Sequence, residues 1–265
     1  MLRVENLSKH YFIKDKKGKK TRVKAVDNVS FVLEENRSYA LVGESGSGKS
    51  TLARLILYIE KPTGGQVKMD QLDLSAMSSR ELRNKRADIQ MVMQDGQSSL
   101  DPRLKIYDSI AEPLRNFIKL SKKEEKERVE ALMSKVELPL EILDRFPHEI
   151  SGGQQKRVCI ARAISVKPKF IVFDEAVSGL DMTVRKKILD LLLRLRDEIQ
   201  SSYLFITHDI DAAMYMSRNI LIMKDGKIVE QVENISALSE FKHDYSKVLI
   251  RSLPPRTPGH RQVKI

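Results

Sequence analysis

One octapeptide constrains the fold of this chain more than any other part of its sequence. Residues 43–50 read Gly-Glu-Ser-Gly-Ser-Gly-Lys-Ser, which matches the pattern G-x-x-x-x-G-K-[ST] completely. The run Ser38–Val42 before it predicts a buried strand, and Thr51–Ile59 after it predicts a helix. Glycines let the backbone curl with its N–H groups inward, and a helix N-terminus adds positive potential. We interpret residues 43–50 as a phosphate-binding loop, because a Gly/Ser linker that matched by chance would lack this flanking strand and helix.

The loop also predicts which groups contact a nucleotide. In this motif the lysine, here Lys49, reaches the β- and γ-phosphates, and the hydroxyl of Ser50 ligates Mg²⁺. The loop does not identify the reaction, because kinases, GTPases and many ATPases share it. The predicted nucleotide contacts are Gly43, Glu44, Ser45, Gly46, Ser47, Gly48, Lys49, Ser50 and Thr51.

Three largely apolar runs predict an α/β fold. Ser38–Val42, Phe170–Phe173 and Tyr203–Ile206 show continuous rather than alternating apolar character, which favours parallel strands buried on both faces. Helical patterns lie between them, one over 187–200 and one, opened by a Ser-Lys-Lys-Glu capping box, over about 121–136.

Further β structure is predicted at both ends of the chain. The apolar positions of Leu2–Leu7 and Val26–Leu33 indicate an antiparallel layer, and Ile220–Val229 indicates a hairpin with Asp225-Gly226 as its turn. Seven Lys or Arg residues lie within Lys14–Lys24. We predict a solvated hairpin loop there, with a patch that touches lipid headgroups or an acidic protein surface as the alternative.

Two carboxylates follow the second apolar run. An aspartate at the carboxyl end of a strand in an open α/β sheet points into the ligand crevice, so Asp174 fits a Mg²⁺ partner of the loop. Glu175 can polarise a water for in-line attack on a γ-phosphate. The alternative is that these two charges only mark the end of a strand.

A second anion-binding feature is predicted at Ser151, Gly152, Gly153 and Gln154, which open an apparent helix. A serine N-cap followed by glycines leaves backbone N–H groups accessible to an anion. An ordinary capped helix is the alternative. One nucleotide seldom needs two such features in one chain, so the second one is informative.

The ordered set of motifs resembles the ATP-binding-cassette (ABC) ATPase family. The resemblance runs from Leu2 to about Val232, and each motif after the loop is weak alone. The set comprises the 43–50 loop, Gln94, Ile150–Gln154, Phe173–Glu175, Ser178–Asp181 and His208. It implies a P-loop NTPase core with a parallel sheet, an N-terminal antiparallel β subdomain and an inserted helical subdomain at about 95–165. It also implies an ATPase domain over 1–235, with a C-terminal extension over 236–265 that ends in a loose basic tail.

The same resemblance assigns roles to the remaining site residues, with ATP and Mg²⁺ as cofactors. Tyr11 would stack on adenine, the alternative being a hairpin aromatic packed on the core. Gln94 would sense Mg²⁺ and the attacking water, and His208 would contact the γ-phosphate. Asp181 would lie at a subunit interface. Ser151–Gln154 would close over ATP held by a second ABC ATPase subunit.

Local sequence is similar to one branch of that family. Met93–Arg103, Glu175–Val184 and the basic insertion resemble ATPases of oligopeptide, dipeptide and nickel importers, and the chain resembles the second ATPase of their pair. The resemblance leaves open that the chain serves a specialised relative of this branch, a metal-chelate importer such as one for nickel or for an opine-type metallophore. The resemblance implies a heterodimer with a second ATPase, beneath two integral membrane permeases and fed by an extracytoplasmic substrate-binding protein. The chain would then be peripheral, on the cytoplasmic face of the membrane.

Composition and motif spacing argue against several other classes of protein. A lone cysteine, Cys159, excludes a disulfide framework, and no apolar run approaches the ~18 residues of a membrane span, so we expect a cytosolic chain. The net charge of +11 suits an anionic partner.

We expect no nucleic acid as partner. The DNA-repair relatives have a long coiled coil between the two motifs, whereas only about a hundred residues, without such a coiled coil, separate Ser50 from Ser151 here. A nucleotide kinase would leave the second motif unexplained, and an exporter ATPase stays an open alternative.

Overall fold

The computed structural model describes residues 1–14, 18, 20–94 and 99–251. Its strands are β1 (Leu2–Lys14), β2 (Lys20–Leu33), β3 (Ser38–Val42), β4 (Gly64–Met69), β5 (Leu72–Asp73), β6 (Ile89–Val92), β7 (Phe170–Asp174), β8 (Ser202–Thr207), β9 (Asn219–Lys224) and β10 (Lys227–Val232). Its α-helices are α1 (Lys49–Ile56), α2 (Ser79–Lys85), α3 (Ile106–Phe117), α4 (Lys122–Lys135), α5 (Gly152–Ile164), α6 (Met182–Ile199), α7 (Ile210–Met216) and α8 (Asp244–Arg251).

The larger sheet carries the predicted parallel strands. Its order is β10-β9-β3-β8-β7-β6, and every pair is parallel except β9 with β10. All residues of β3, β7 and β8 are buried, which confirms strands covered on both faces. Because these strands run the same way, the segments that follow them emerge at one edge of the sheet.

Helices and a smaller sheet cover the two faces of the larger sheet. Along β8, Leu204 and Ile206 pack in a cluster with α1 and the smaller sheet. Tyr203 and Phe205 point the other way, into a cluster formed with α3, α4, α5 and α6. The α/β class is therefore confirmed. The domain boundaries at 235 and around the 95–165 insertion stay predictions.

The smaller sheet is antiparallel, in the order β2-β1-β4-β5, as expected for the N-terminal layer. The strands extend further than predicted, since Lys14 pairs with Lys20 and His10 with Lys24. Much of the segment expected to be loop is thus a two-stranded ribbon. The side chains of residues 20–24 in β2 are all exposed, so no apolar alternation predicted a strand there. Residues 15–17 and 19 lie outside the described residues.

One predicted helix agrees with the structure, and two others begin or end at different residues from those predicted. The capping box at Ser121 is present, with Glu124 as its partner, and α4 ends at the predicted place. Helix α6 begins five residues before the predicted stripe, because Asp181 caps it. Helix α1 begins at Lys49 and ends before Ile59, since Tyr58 adopts a positive φ of 51° that stops the helix.

The C-terminal region folds back on the sheet. The predicted hairpin of β9 and β10 is present, and its turn residues Asp225 and Gly226 have φ of 47° and 80°, as a type I′ turn requires. Helix α8 packs Tyr245 and Leu249 onto Ile220 of β9. The predicted loose basic tail, from Pro254 to the end, lies outside the described residues. Among the described helices, none is long and apolar enough to cross a membrane.

Candidate active site

The phosphate-binding loop follows β3 and curls so tightly that two of its positions admit only glycine. A Cβ on Gly43 would lie 2.2 Å from the carbonyl oxygen of Met223. A Cβ on Gly48 would lie 2.1 Å from the carbonyl oxygen of Ala25, and its φ of +106° disfavours any side chain. Gly48 is also the N-cap of α1 and brings no side-chain cap, so the first N–H groups of that helix lie open to an anion.

Lys49 lies inside this curl, with only 4% of its surface exposed. Its ammonium donates to the carbonyl oxygens of Gly43 and Glu44, each at 2.8 Å. Burial lowers the pKa of Lys49, and the carboxylates of Glu175 and Asp174 oppose that shift. The Ser47 hydroxyl lies buried in the same loop with no hydrogen-bond partner among the described residues. The loop is thus a cradle with a cation and a spare hydroxyl, which suits phosphate.

Ser50 and Asp174 meet beside the loop, as the sequence predicted. The Ser50 hydroxyl donates to Asp174 Oδ1 at 3.2 Å. Asp174 is 7% exposed, and burial raises its pKa against the opposing effects of Ser50 and Lys49. Mg²⁺ commonly binds through one or two carboxylates together with water and substrate phosphates, and this hydroxyl–carboxylate pair fits that pattern. Within the described residues, no cluster of three or more His, Cys, Asp or Glu could hold a metal.

Glu175 is fixed at the end of β7 by its backbone and by two neighbours. Its φ of +47° turns the chain, and its N–H donates to the Ile206 carbonyl at 2.9 Å. The Ser178 hydroxyl donates to Glu175 Oε2 at 3.2 Å, and His208 Nδ1 lies 3.5 Å from Oε1. The strand register that pairs Asp174 with Ile206 brings His208 to this point. A carboxylate next to an imidazole can orient and deprotonate a water.

Gln94 follows β6 and has an exposed side chain. Its backbone carbonyl accepts a hydrogen bond from the ammonium of Lys156 in α5, which also donates to the Met93 carbonyl at 3.1 Å. Lys156 is buried, and no sequence motif assigned it to the site. Lys156 thus links the end of β6 to α5, the helix that begins at the second anion-binding motif. Residues 95–98, which include part of the branch-specific stretch, lie outside the described residues.

That second motif is built as a capping box. The Ser151 hydroxyl accepts from the Gln154 N–H at 3.3 Å, and Gln154 Oε1 accepts from the Ser151 N–H at 2.9 Å. A Cβ on Gly152 would meet no atom within 4 Å, whereas one on Gly153 would lie 3.2 Å from Val184 Cγ1. The contacts described for this motif therefore lie within its own helix and with α6. The face at Gly152 is open.

Asp181 and Tyr11 each have polar partners. Asp181 Oδ1 accepts from the N–H groups of Thr183 and Val184, at 3.1 and 2.9 Å. The Tyr11 hydroxyl donates to the Glu60 carboxylate at 2.7 Å, and the Lys9 ammonium lies 5.4 Å from the centre of its ring. Half-buried Tyr11 thus contacts charged groups at the base of the hairpin. Its stacking on adenine stays a prediction.

The sequence did not predict one further contact of the phosphate-binding loop. The Glu44 N–H donates to the hydroxyl of Tyr245 at 3.1 Å. Tyr245 belongs to α8, 201 residues further along the chain, and no local pattern links the two. Glu44, predicted to contact nucleotide, therefore has its N–H engaged by the C-terminal helix.

Comparison with known proteins agrees with this geometry. Residues 26–178 match the family described as ABC transporter. The chain is 40% identical to the dipeptide transport ATP-binding protein DppF of Haemophilus influenzae over 268 residues, which cover 100% of this chain and 81% of that protein. It is 36% identical to the nickel import ATP-binding protein NikE of Brucella suis over 258 residues, 97% of either chain.

A solved structure supports the same placement. It is the dimeric, post-hydrolysis state of an ATP-binding cassette bound to ADP and Pi. The superposition has a TM-score of 0.80 at 30% identity, and it covers 89% of this chain and 100% of that one.

Proposed function

The chain belongs to the ABC transporter family and is one of its ATPases, and we propose that it is the ATP-hydrolysing subunit that powers an importer. The cargo class we propose is peptides, nickel or metal-chelate complexes, of which the relatives' names support peptides and nickel. The observation that carries the proposal is the joint placement of the 43–50 loop, Asp174 and Glu175 at one edge of the parallel sheet.

We propose that Lys49 and the open N-terminus of α1 bind the phosphates of ATP. A buried cation and fixed N–H groups stabilise phosphate charge without rearranging when that charge shifts in the transition state. Ser50 and Asp174 would hold Mg²⁺, with Gln94 as a further ligand. When bound, Mg²⁺ neutralises charge on the β- and γ-phosphates.

Glu175 would orient a water in line with the γ-phosphate and accept its proton as the water attacks. ADP and inorganic phosphate are the products. Ser178 and His208, which flank the two oxygens of Glu175, limit the directions in which this carboxylate can point. We assign His208 a contact with the γ-phosphate, which its exposed position beside Glu175 permits.

The second motif would act on ATP bound to another subunit. We propose that Ser151–Gln154 and Asp181 close over ATP held by the loop of a second cassette, while Tyr11 stacks on adenine in the same chain. The open face at Gly152 supports this role, because a partner can approach that backbone closely. The dimeric form of the related cassette also supports it.

The partners we propose are a second, similar ATPase in a heterodimer, two integral membrane permeases and, indirectly, an extracytoplasmic substrate-binding protein. The chain would be peripheral, on the cytoplasmic face of the membrane, and would bind no nucleic acid. The name of one relative, a nickel import ATP-binding protein, supports import.

The direct test is Mg–ATP affinity and hydrolysis in Lys49→Ala. A hydrogen bond to a charged group contributes enough that the dissociation constant should rise about tenfold to a hundredfold. Lys135→Ala is the matched control, because that lysine is exposed and pairs with Glu198 at 2.6 Å on the helical side. Thermal midpoints show whether both variants fold. An unchanged dissociation constant in folded Lys49→Ala would contradict the loop assignment.

A further inference from the structure

A tyrosine of the C-terminal helix contacts the nucleotide loop. Tyr245, near the start of α8, accepts a hydrogen bond from the Glu44 N–H at 3.1 Å. It is only 7% exposed. Glu44 is thus joined to a helix that lies beyond the matched family region, 26–178.

This contact holds one peptide unit of the loop from the side opposite to Lys49. The Gly43 carbonyl and the Glu44 N–H belong to the same peptide group. The Lys49 ammonium donates to that carbonyl at 2.8 Å, and Tyr245 accepts from that N–H. In a trans peptide these two bonds point in opposite directions, so together they fix the rotation of the peptide plane. The same plane determines where the Lys49 ammonium is held.

Tyr245 is itself held in place. The Lys224 ammonium lies 4.8 Å from the centre of its ring, and its backbone N–H donates to His243 Nδ1 at 3.2 Å. Burial raises the pKa of Tyr245, with the Glu44 N–H opposing that shift, so the hydroxyl stays neutral. Its hydroxyl oxygen therefore remains a defined acceptor over the physiological range.

Glu230 of β10 anchors the start of α8. Its Oε1 accepts from the N–H groups of Lys242 and His243, at 2.6 and 3.2 Å, and its Oε2 accepts from the Ser246 hydroxyl. Three bonds to one carboxylate fix the first turn of the helix, from which Tyr245 projects. The loop, α8 and β10 are thereby linked by a continuous set of hydrogen bonds.

We propose that Tyr245 is a positioning residue for the nucleotide loop, through which the C-terminal extension holds the Gly43–Glu44 peptide in its binding orientation. The inference rests on the proposed function, since it assumes that this loop binds ATP. A loop that is already ordered loses less conformational freedom when it binds, so removing the restraint weakens binding. Chemistry at Glu175 does not involve Tyr245, so turnover at saturating ATP is retained.

The test is Tyr245→Phe, which removes the hydroxyl and keeps the ring. One neutral hydrogen bond predicts a rise of about threefold to tenfold in the dissociation constant and in the KM for Mg–ATP, with kcat within about twofold of the wild type. Tyr39→Phe is the matched control. The Tyr39 hydroxyl also accepts a backbone N–H, that of Glu34, at 3.1 Å, and its ring is 5% exposed at the start of β3. An unchanged dissociation constant in Tyr245→Phe, or an equal rise in Tyr39→Phe, would overturn the inference.

A second variant tests the anchor. Glu230→Gln weakens the bonds at the start of α8 and should raise the KM for Mg–ATP in the same direction. If both residues act through one restraint, the double variant is no worse than Tyr245→Phe alone within about twofold; fully multiplied effects would contradict this.

Lys49→Ala separates the two proposals. If Lys49→Ala binds ATP about tenfold or more weakly than the wild type, the loop assignment stands whatever Tyr245→Phe does. If Lys49→Ala binds ATP as tightly as the wild type does, the proposed function is contradicted, and the inference about Tyr245 loses its basis.

Discussion

The substitution Glu175→Gln separates ATP binding from ATP hydrolysis. Glutamine has the size of glutamate and can still accept a hydrogen bond from Ser178, which donates to one of the two carboxylate oxygens at 3.2 Å. The backbone bond from the Glu175 N–H to Ile206 is unaffected. In glutamate the other oxygen, Oε1, lies 3.5 Å from His208 Nδ1 and is free to accept the proton of the attacking water. The amide of glutamine cannot accept that proton. The variant therefore keeps the geometry of the site and loses its base.

A positioned general base contributes typically 10²- to 10⁴-fold to a reaction rate, so kcat for ATP hydrolysis should fall by about that factor. The dissociation constant for Mg–ATP should stay within a few-fold of the wild-type value, because Lys49 and the open N-terminus of α1 are intact. Bound ATP is then not consumed, so ATP should trap a closed dimer of cassettes.

Phosphate release measured at saturating ATP gives kcat, and size-exclusion chromatography with ATP detects the dimer. Glu198→Gln serves as the control, since that carboxylate pairs with Lys135 on the exposed helical side. Full turnover in Glu175→Gln would refute the assignment of Glu175 as the base.

Two further outcomes follow from the loop and its magnesium partner. Burial raises the folded-state pKa of Asp174 above its unfolded value, so its charge costs stability as pH rises through that interval. Asp174→Asn should therefore raise the thermal midpoint at pH 7 without nucleotide by a few degrees, yet abolish Mg²⁺-dependent hydrolysis; a lower midpoint would contradict this. Gly48→Ala places a Cβ against the Ala25 carbonyl and should weaken ATP binding at least tenfold, unlike Gly64→Ala, whose Cβ would lie 4.0 Å from Ser8 Cβ. Equal ATP affinities in these two alanine variants would show that the tight turn at Gly48 is not required for ATP binding.

The strands that place the site were predictable because burial on both faces leaves a strong pattern. Ser38–Val42 is a strand over the same residues in the structure. The predicted runs Phe170–Phe173 and Tyr203–Ile206 stop one residue short of their strands at three of the four ends. Parallel pairing then fixes the loop, Asp174 and His208 at one edge. Local sequence and a topological rule were sufficient for that much of the site.

Other parts of the site depend on contacts that no local pattern reveals. Lys156 reaches the Gln94 carbonyl across 62 residues, and Tyr245 reaches the Glu44 N–H across 201. A buried lysine in an amphipathic helix and a tyrosine in a short C-terminal helix look ordinary in sequence. Residues 20–24 of β2 fall within the predicted loop for a related reason, since their side chains are all exposed and show no apolar alternation.

Purification of the tagged chain from gently solubilised membranes tests the central claim most directly. We predict recovery of two polytopic permeases and a second, similar ATPase, with ATP hydrolysis by the complex that Lys49→Ala abolishes. A homodimer with one fused membrane partner would favour an exporter. Recovery with DNA or ribosomes, and with no membrane protein, would contradict the account of what the ATP is used for.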